Sequence, residues 1–184
     1  MRDLIFLDVE TGGFDPAVHA LLTVGLVHWV EGDVLDRAEF KVHSESRRVE
    51  ADALRVNRIH LAAHNATALT RIAARDAIAA WMSAHRPPTG KPVIVGHNVA
   101  FDMAFMDNLF ADVWSRAVHE SPICTMQLYT SLQSAGRAPA GRRRLDVALK
   151  AFGIAPPDED RHTALGDALA AAALYGAMLE GMQP

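Results

Sequence analysis

Residues 4–9 (Leu-Ile-Phe-Leu-Asp-Val) are apolar at all but one position, with no alternation of polar residues. That pattern predicts a central strand covered on both faces. Gly12-Gly13 and Asp15-Pro16 interrupt it. Residues 21–30 and 34–42 predict two further strands joined at Glu31-Gly32-Asp33, a hairpin turn with glycine. A short helix is expected over 49–59 and a long alanine-rich one over 67–85, where Leu69, Ile72, Ala73, Ala77, Ala80, Trp81 and Ala84 recur at helical spacing. Pro87-Pro88-Thr89-Gly90 ends it. Residues 93–96 predict a fourth strand leading into a helix over 100–114, and residues 122–128 a fifth strand. The Gly-, Pro- and Arg-rich stretch 134–144 reads as a mobile loop, 145–152 as a short helix, 156–161 as a polar loop and 163–180 as a terminal helix. Three strands followed by helices alternating with two more indicate an α/β domain with a mixed sheet.

Composition narrows the function classes. A chain of 184 residues without internal repeat or linker is read as one domain over 1–184, able to bury roughly 70% of its unfolded surface. Half of the residues are hydrophobic and 22% are charged, an ordinary globular balance. The single cysteine, Cys124, excludes an intrachain disulfide and a cysteine-rich zinc site and fits a reducing cytosol. No basic leader precedes the first strand and no apolar run is long enough to span a bilayer, so a cytoplasmic protein without membrane contact is expected. The net charge of −4 argues against broad coating of duplexes, which needs a basic surface. Engagement of a strand end through bound metals remains open.

Four acids stand out by position. Asp8 and Glu10, two apart on a strand, share a face with Leu4 and Phe6; alternatively the strand stops at Leu7 and both are solvated. Asp102 heads an apolar stripe through Phe105, Met106, Leu109 and Val113, and Asp167 heads another through Ala171, Leu174 and Met178. For both, the competing role is to complement a helix dipole, worth about 0.3–1 kcal/mol. His162 is one of nine histidines, and its interest lies in its proximity to Asp167. Two carboxylates about 5 Å apart repel by roughly 3 kcal/mol at an effective dielectric near 20. Four together raise one another's pKa or require cations, and hard oxygen ligands select Mg²⁺ or Mn²⁺ over zinc.

The surrounding residues resemble the three motifs of the DEDDh 3′→5′ exonucleases: Phe6-Leu7-Asp8-Val9-Glu10-Thr11-Gly12, then Gly96-His97-Asn98-Val99-Ala100-Phe101-Asp102, then His162-Thr163-Ala164-Leu165-Gly166-Asp167. Their order and separation cover nearly the whole chain. The resemblance implies a ribonuclease H-like fold, a five-stranded mixed sheet flanked by helices. It implies two Mg²⁺ or Mn²⁺ ions held by Asp8, Glu10, Asp102 and Asp167, with Asp8 bridging. His162 would be the general base that takes a proton from the attacking water, and a nucleoside 5′-monophosphate would leave from the 3′ end of single-stranded DNA or RNA.

Thr11 and the Gly12-Gly13 backbone resemble the family's contacts to the terminal nucleotide, Asn98 is expected to bind substrate with them, and Phe14 and Phe101 are candidates to stack on bases, although Phe101 also borders a core helix. Arg137 and Arg142-Arg143-Arg144 suit the phosphates of an incoming strand, or are simply a solvated loop. Cys124 and His97 read as packing residues. Some members of the family are homodimers, and the sequence leaves that open here. Two alternatives remain: a proofreading subunit of a DNA polymerase, and a module that binds strand ends without turnover. The chain ends soon after Asp167, which leaves little room for a polymerase-binding tail and favours a free-standing enzyme.

Overall fold

The first apolar run is enclosed on both sides, and the architecture is built around it. The computed structural model describes residues 3–155 and 162–181. Strand β1 (Asp3–Thr11) pairs antiparallel with β2 (Leu21–Val30), which pairs antiparallel with β3 (Asp33–Lys41). On its other edge β1 pairs parallel with β4 (Val93–Gly96), which pairs parallel with β5 (Ile123–Cys124). The sheet order is β3-β2-β1-β4-β5, the mixed five-stranded sheet expected. The β2–β3 turn uses Glu31 (φ 53°) and Gly32 (φ 117°), the positive dihedrals that match the strand twist.

The helices are α1 (Ala51–Asn57), α2 (Leu61–Thr67), α3 (Arg71–Ala84), α4 (Val99–Phe110), α5 (Trp114–Ala117), α6 (Thr125–Ser134), α7 (Leu145–Ala151) and α8 (Ala164–Gly181). On one face of the sheet Ile5, Leu7 and Val9 pack with Ile78 of α3 and with Phe105 and Met106 of α4. On the other, Leu4, Phe6 and Trp29 meet Ala168, Ala171 and Tyr175 of α8. The Phe6 ring lies edge-on to Tyr175 at 5.7 Å and to Trp29 at 6.1 Å. The far side of α8 contributes Ala170, Leu174 and Met178 to a third cluster with Tyr129 and Leu149. A helix apolar all round is one that is covered all round. Among the described residues no helix is long and apolar enough to cross a membrane.

Three expectations are corrected. The predicted helix over 67–85 begins later, at Arg71, and a separate helix, α2, ends at Thr67 just before it. The Thr70 hydroxyl caps α3 by accepting from the Ala73 N–H at 3.3 Å, while Leu69 bridges back to Val42. The helix over 100–114 stops at Phe110, where Ala111 and Asp112 both take positive φ and turn the chain into α5. The fifth strand is only two residues long, because Thr125–Ser134 is helical and packs Tyr129 and Leu132 into the third cluster. The polar loop over 156–161 lies outside the described residues.

Candidate active site

Strand β1 outruns its parallel neighbour. Its pairing with β4 ends at Phe6↔Val95, whereas its pairing with β2 continues to Thr11. Asp8 and Glu10 sit on this overhang, on the face that Phe6 shares with α8. The start of α8 comes down on the same spot. Thr163 caps the helix, its hydroxyl accepting the Gly166 N–H at 3.0 Å, and Asp167 lies in the first turn. What lets the helix approach so closely is Gly25 of β2, the residue paired with Asp8. A Cβ at Gly25 would run into the backbone of Ala164 and Leu165. A glycine inside an apolar strand is the sequence signal for such an approach.

The result is a cluster. One carboxylate oxygen from each of Asp8, Glu10 and Asp167 lies within 4.8 Å of the others. Asp102, in the first turn of α4, stands behind them and is only 3% exposed. Its Oδ1 accepts the Val9 N–H at 3.0 Å, on the part of β1 that β4 no longer covers. Burial, and then the charges of Asp102, Glu10 and Asp167, push the Asp8 carboxyl well above the usual carboxylate range. Burial together with Asp167, Asp102 and Glu39 pushes Glu10 up to about 8. Asp102 is also raised, by burial, although the Val9 amide draws it partly back. These shifts follow from like charges gathered where water is scarce, and a dication between them would reverse them. The donors are hard carboxylate oxygens, so the residues present fit Mg²⁺ or Mn²⁺.

Three clefts open onto the cluster. One, of about 440 Å³, is walled by Glu10, Thr11, Gly13, Phe14, Asn57 and Phe101. A second, of about 610 Å³, runs between His162 and Asp167 on one side and His97, Asn98, Arg142 and Arg143 on the other. The third, of about 490 Å³, lies over β2 and β3 and is bounded by Glu10, Lys41, Arg58, His60 and His162. His162 therefore stands between two clefts, with φ 64°. Asn98 (φ 72°) and Arg58 (φ 56°) also line these clefts in the left-handed region, a strained conformation that gathers at functional sites.

Phe14 is 86% exposed, and its ring meets Phe101 edge-on at 6.4 Å. Gly12 does not face the cleft: its N–H donates to the Ala20 carbonyl and its carbonyl accepts the Glu50 N–H, so it braces the loop while Gly13 lines the opening. Arg137 lies apart from the clefts, donating to the Gly181 carbonyl at 2.6 Å. Two contributors went unread in the sequence. Buried Asn57 donates to the Thr11 carbonyl at 3.2 Å and holds the end of β1. His97, read as a packing residue, instead lines the second cleft and bonds to the Arg143 carbonyl.

A family model described as exonuclease, of the RNase T type, matches residues 5–175. The chain belongs to this exonuclease family. Its motifs are those of the DEDDh 3′→5′ branch, as the sequence indicated. No curated protein sequence matches significantly. Among solved structures, E. coli exonuclease I in complex with a dT13 oligonucleotide superposes with a TM-score of 0.81 at 19% identity, over 96% of this chain and 40% of that one. The zinc-ion-bound form of the E. coli exonuclease I–ssDNA complex gives 0.84 at 20% identity, over 100% of this chain and 42% of that one. A product-bound exonuclease I gives 0.82 at 19% identity, over 98% and 44%. The exonuclease family chain thus spans about two fifths of those proteins and shares their fold.

Proposed function

We propose that this chain is a metal-dependent 3′→5′ exonuclease that releases nucleoside 5′-monophosphates from the 3′ ends of single-stranded DNA or RNA. The observation that carries this reading is the convergence of Asp8, Glu10 and Asp167 within 4.8 Å at the meeting point of three clefts. Exonuclease I structures that hold single-stranded DNA, and one that holds zinc, support it by likeness.

Asp8, Glu10 and Asp167, with Asp102 behind them, would hold the cations, two in number on the family pattern. Bound there, divalent ions offset the charge of the phosphodiester and make water a better nucleophile. The chain's own residues do the rest. The terminal nucleoside occupies the cleft beside Thr11, where Phe14 and Phe101 offer ring faces worth about 1–3 kcal/mol per stacked base. This places its 5′-phosphate over the acid cluster. His162, at the rim of that cluster, takes the proton of the attacking water. The water's oxygen bonds to phosphorus in line with the departing 3′-oxygen of the next nucleotide, which leaves carrying the electrons of the broken P–O bond.

The test uses matched DNA and RNA oligomers labelled at the 3′ or the 5′ end, with Mn²⁺ or with chelator. Immediate release of a 3′-labelled mononucleotide, abolished by chelation, is expected. Release from the 5′ end first, or turnover in chelator, rules the reading out.

A further inference from the structure

The cleft of about 610 Å³ has a wall that holding the acids does not require: Arg142, Arg143 and Arg144, three consecutive cations in a chain of net charge −4. Arg144 pairs with Asp146 at 3.2 Å, while among the described residues Arg142 and Arg143 pair with no carboxylate. The segment between α6 and α7 that carries them has no regular structure, yet side chains of packed elements hold its carbonyls. Gln133 donates to Pro139 at 2.7 Å, the Tyr129 hydroxyl donates to the same carbonyl at 3.4 Å, and His97 Nε2 lies 2.7 Å from the Arg143 carbonyl.

A carbonyl only accepts, so His97 carries its proton on Nε2. Burial lowers the His97 pKa and favours the neutral ring. Nδ1, 3.0 Å from Thr125 Oγ1, is then an acceptor for the threonine hydroxyl, which shares its one proton between this nitrogen and the Gly96 carbonyl at 3.3 Å. Thr125 begins α6, and His97 follows directly on the last residue of β4. The imidazole therefore ties the arginine run to the strand end that launches the Asp102 helix.

We infer that this cleft is the track for phosphates upstream of the scissile bond, and that His97 is the residue positioning it. The inference rests on the exonuclease reading and adds a substrate class to it: single strands long enough to extend past the terminal nucleotide into the arginines. A strand whose last base lies beside Phe14 and whose scissile phosphate lies over Asp8 can continue along either remaining cleft. The cleft over β2 and β3 sets Glu39 and Glu10 against Lys41 and Arg58, which leaves little net attraction for phosphate. The arginine cleft carries two unpaired cations next to His162 and Asp167. Phosphate follows the cations, and a stapled loop presents them already ordered.

The test is steady-state hydrolysis, by the full chain in Mn²⁺, of a dinucleotide and of a longer oligothymidylate across a series of salt concentrations. Alongside it, anisotropy of the labelled oligothymidylate is read in an Asp8→Asn background. Replacing Arg142 and Arg143 with Ala is expected to raise KM for the long strand about tenfold more than for the dinucleotide, and to lower the log–log salt slope of binding by about 1.4, near 0.7 per lost phosphate contact. His97→Ala should show the same length-selective rise, and His97→Gln, which keeps a donor for the Arg143 carbonyl, should recover most of it.

Equal effects on both lengths, or an unchanged salt slope, overturn the track. Glutamine and alanine behaving alike at position 97 removes the positioning role. Should His97→Ala fail to fold, the exposed arginines and the glutamine variant still decide the matter. A wild-type protein that releases nothing from either substrate overturns the exonuclease reading. Arginine-dependent, salt-sensitive anisotropy would in that event keep the track, and its absence would remove both.

Discussion

The two ends of β1 treat their acids in opposite ways. At the start of the strand, Asp3 Oδ1 meets His28 Nε2 at 2.9 Å. Beside this pair Asp36 meets His85 at 2.8 Å, and the His85 ring stacks on Trp81 at 4.1 Å and lies 5.1 Å from the His28 ring. The Arg37 backbone N–H, with further help from His85, holds Asp36 below its ordinary value. At the end of the same strand, Asp8 and Glu10 face other acids and are pushed upward. Acids that serve the architecture come with a partner from within the chain. Acids that crowd other acids are placed for a cation from outside, and the lowered Asp36 against the raised Asp8 and Glu10 marks the two roles.

That contrast can be broken in several ways. The largest effect is expected from Asp8→Asn or Asp167→Asn, which should lower nucleotide release by about 10³-fold, the loss of several kcal/mol of charge stabilisation. In thermal melts without metal, Asp8→Asn should raise Tm because it removes a carboxyl disfavoured by burial and by the neighbouring acids, whereas Asp3→Asn should lower it by weakening the His28 contact. Like-signed shifts at the two ends would end the comparison. Next, His162→Ala should reduce kcat by about 10²-fold or more, and single-turnover rates read this directly.

Gly25→Ala should follow at about 1–3 kcal/mol of destabilisation, from overpacking against Ala164 and Leu165. Denaturant melts measure it, and activity should fall as well because Asp167 is displaced. A fourth effect depends on pH. Glu10 binds a proton more tightly folded than unfolded, so its contribution to metal-free stability is complete below the unfolded value near 4.5 and is lost as pH rises toward about 8. Asp8 and Asp102 act in the same direction. Metal-free Tm should fall across that window, and the gain in Tm on adding Mn²⁺ should grow across it. The smallest effect is His85→Ala, which removes the contacts to Asp36 and to the Trp81 carbonyl and the stack on the Trp81 ring; a fall in Tm of a few degrees is expected, with nucleotide release unchanged because the residue lies beside the opposite end of β1 from the acids.

Much of this was legible in the sequence, for identifiable reasons. The unbroken apolar run before Asp8 announced a doubly covered strand, and the stripes behind Asp102 and Asp167 announced inward-facing helix starts. What escaped detection was decided through space or by competing local signals. Alanine-rich helical periodicity continues across residues 67–71, so only the capping hydroxyl of Thr70 marked the break between α2 and α3. The β-like stretch at 122–128 lost to a helix that buries Tyr129 and Leu132. His97 looked like one more packing residue because its partner is the carbonyl of a residue far along the chain.

At Gly25 main chain rests on main chain, with no side chain between β2 and the start of α8. The distance between the backbones that carry Asp8 and Asp167 is therefore set by a hard stop. Substitutions elsewhere in the core can accumulate without moving that stop, much as a vice keeps its setting while its handle is replaced.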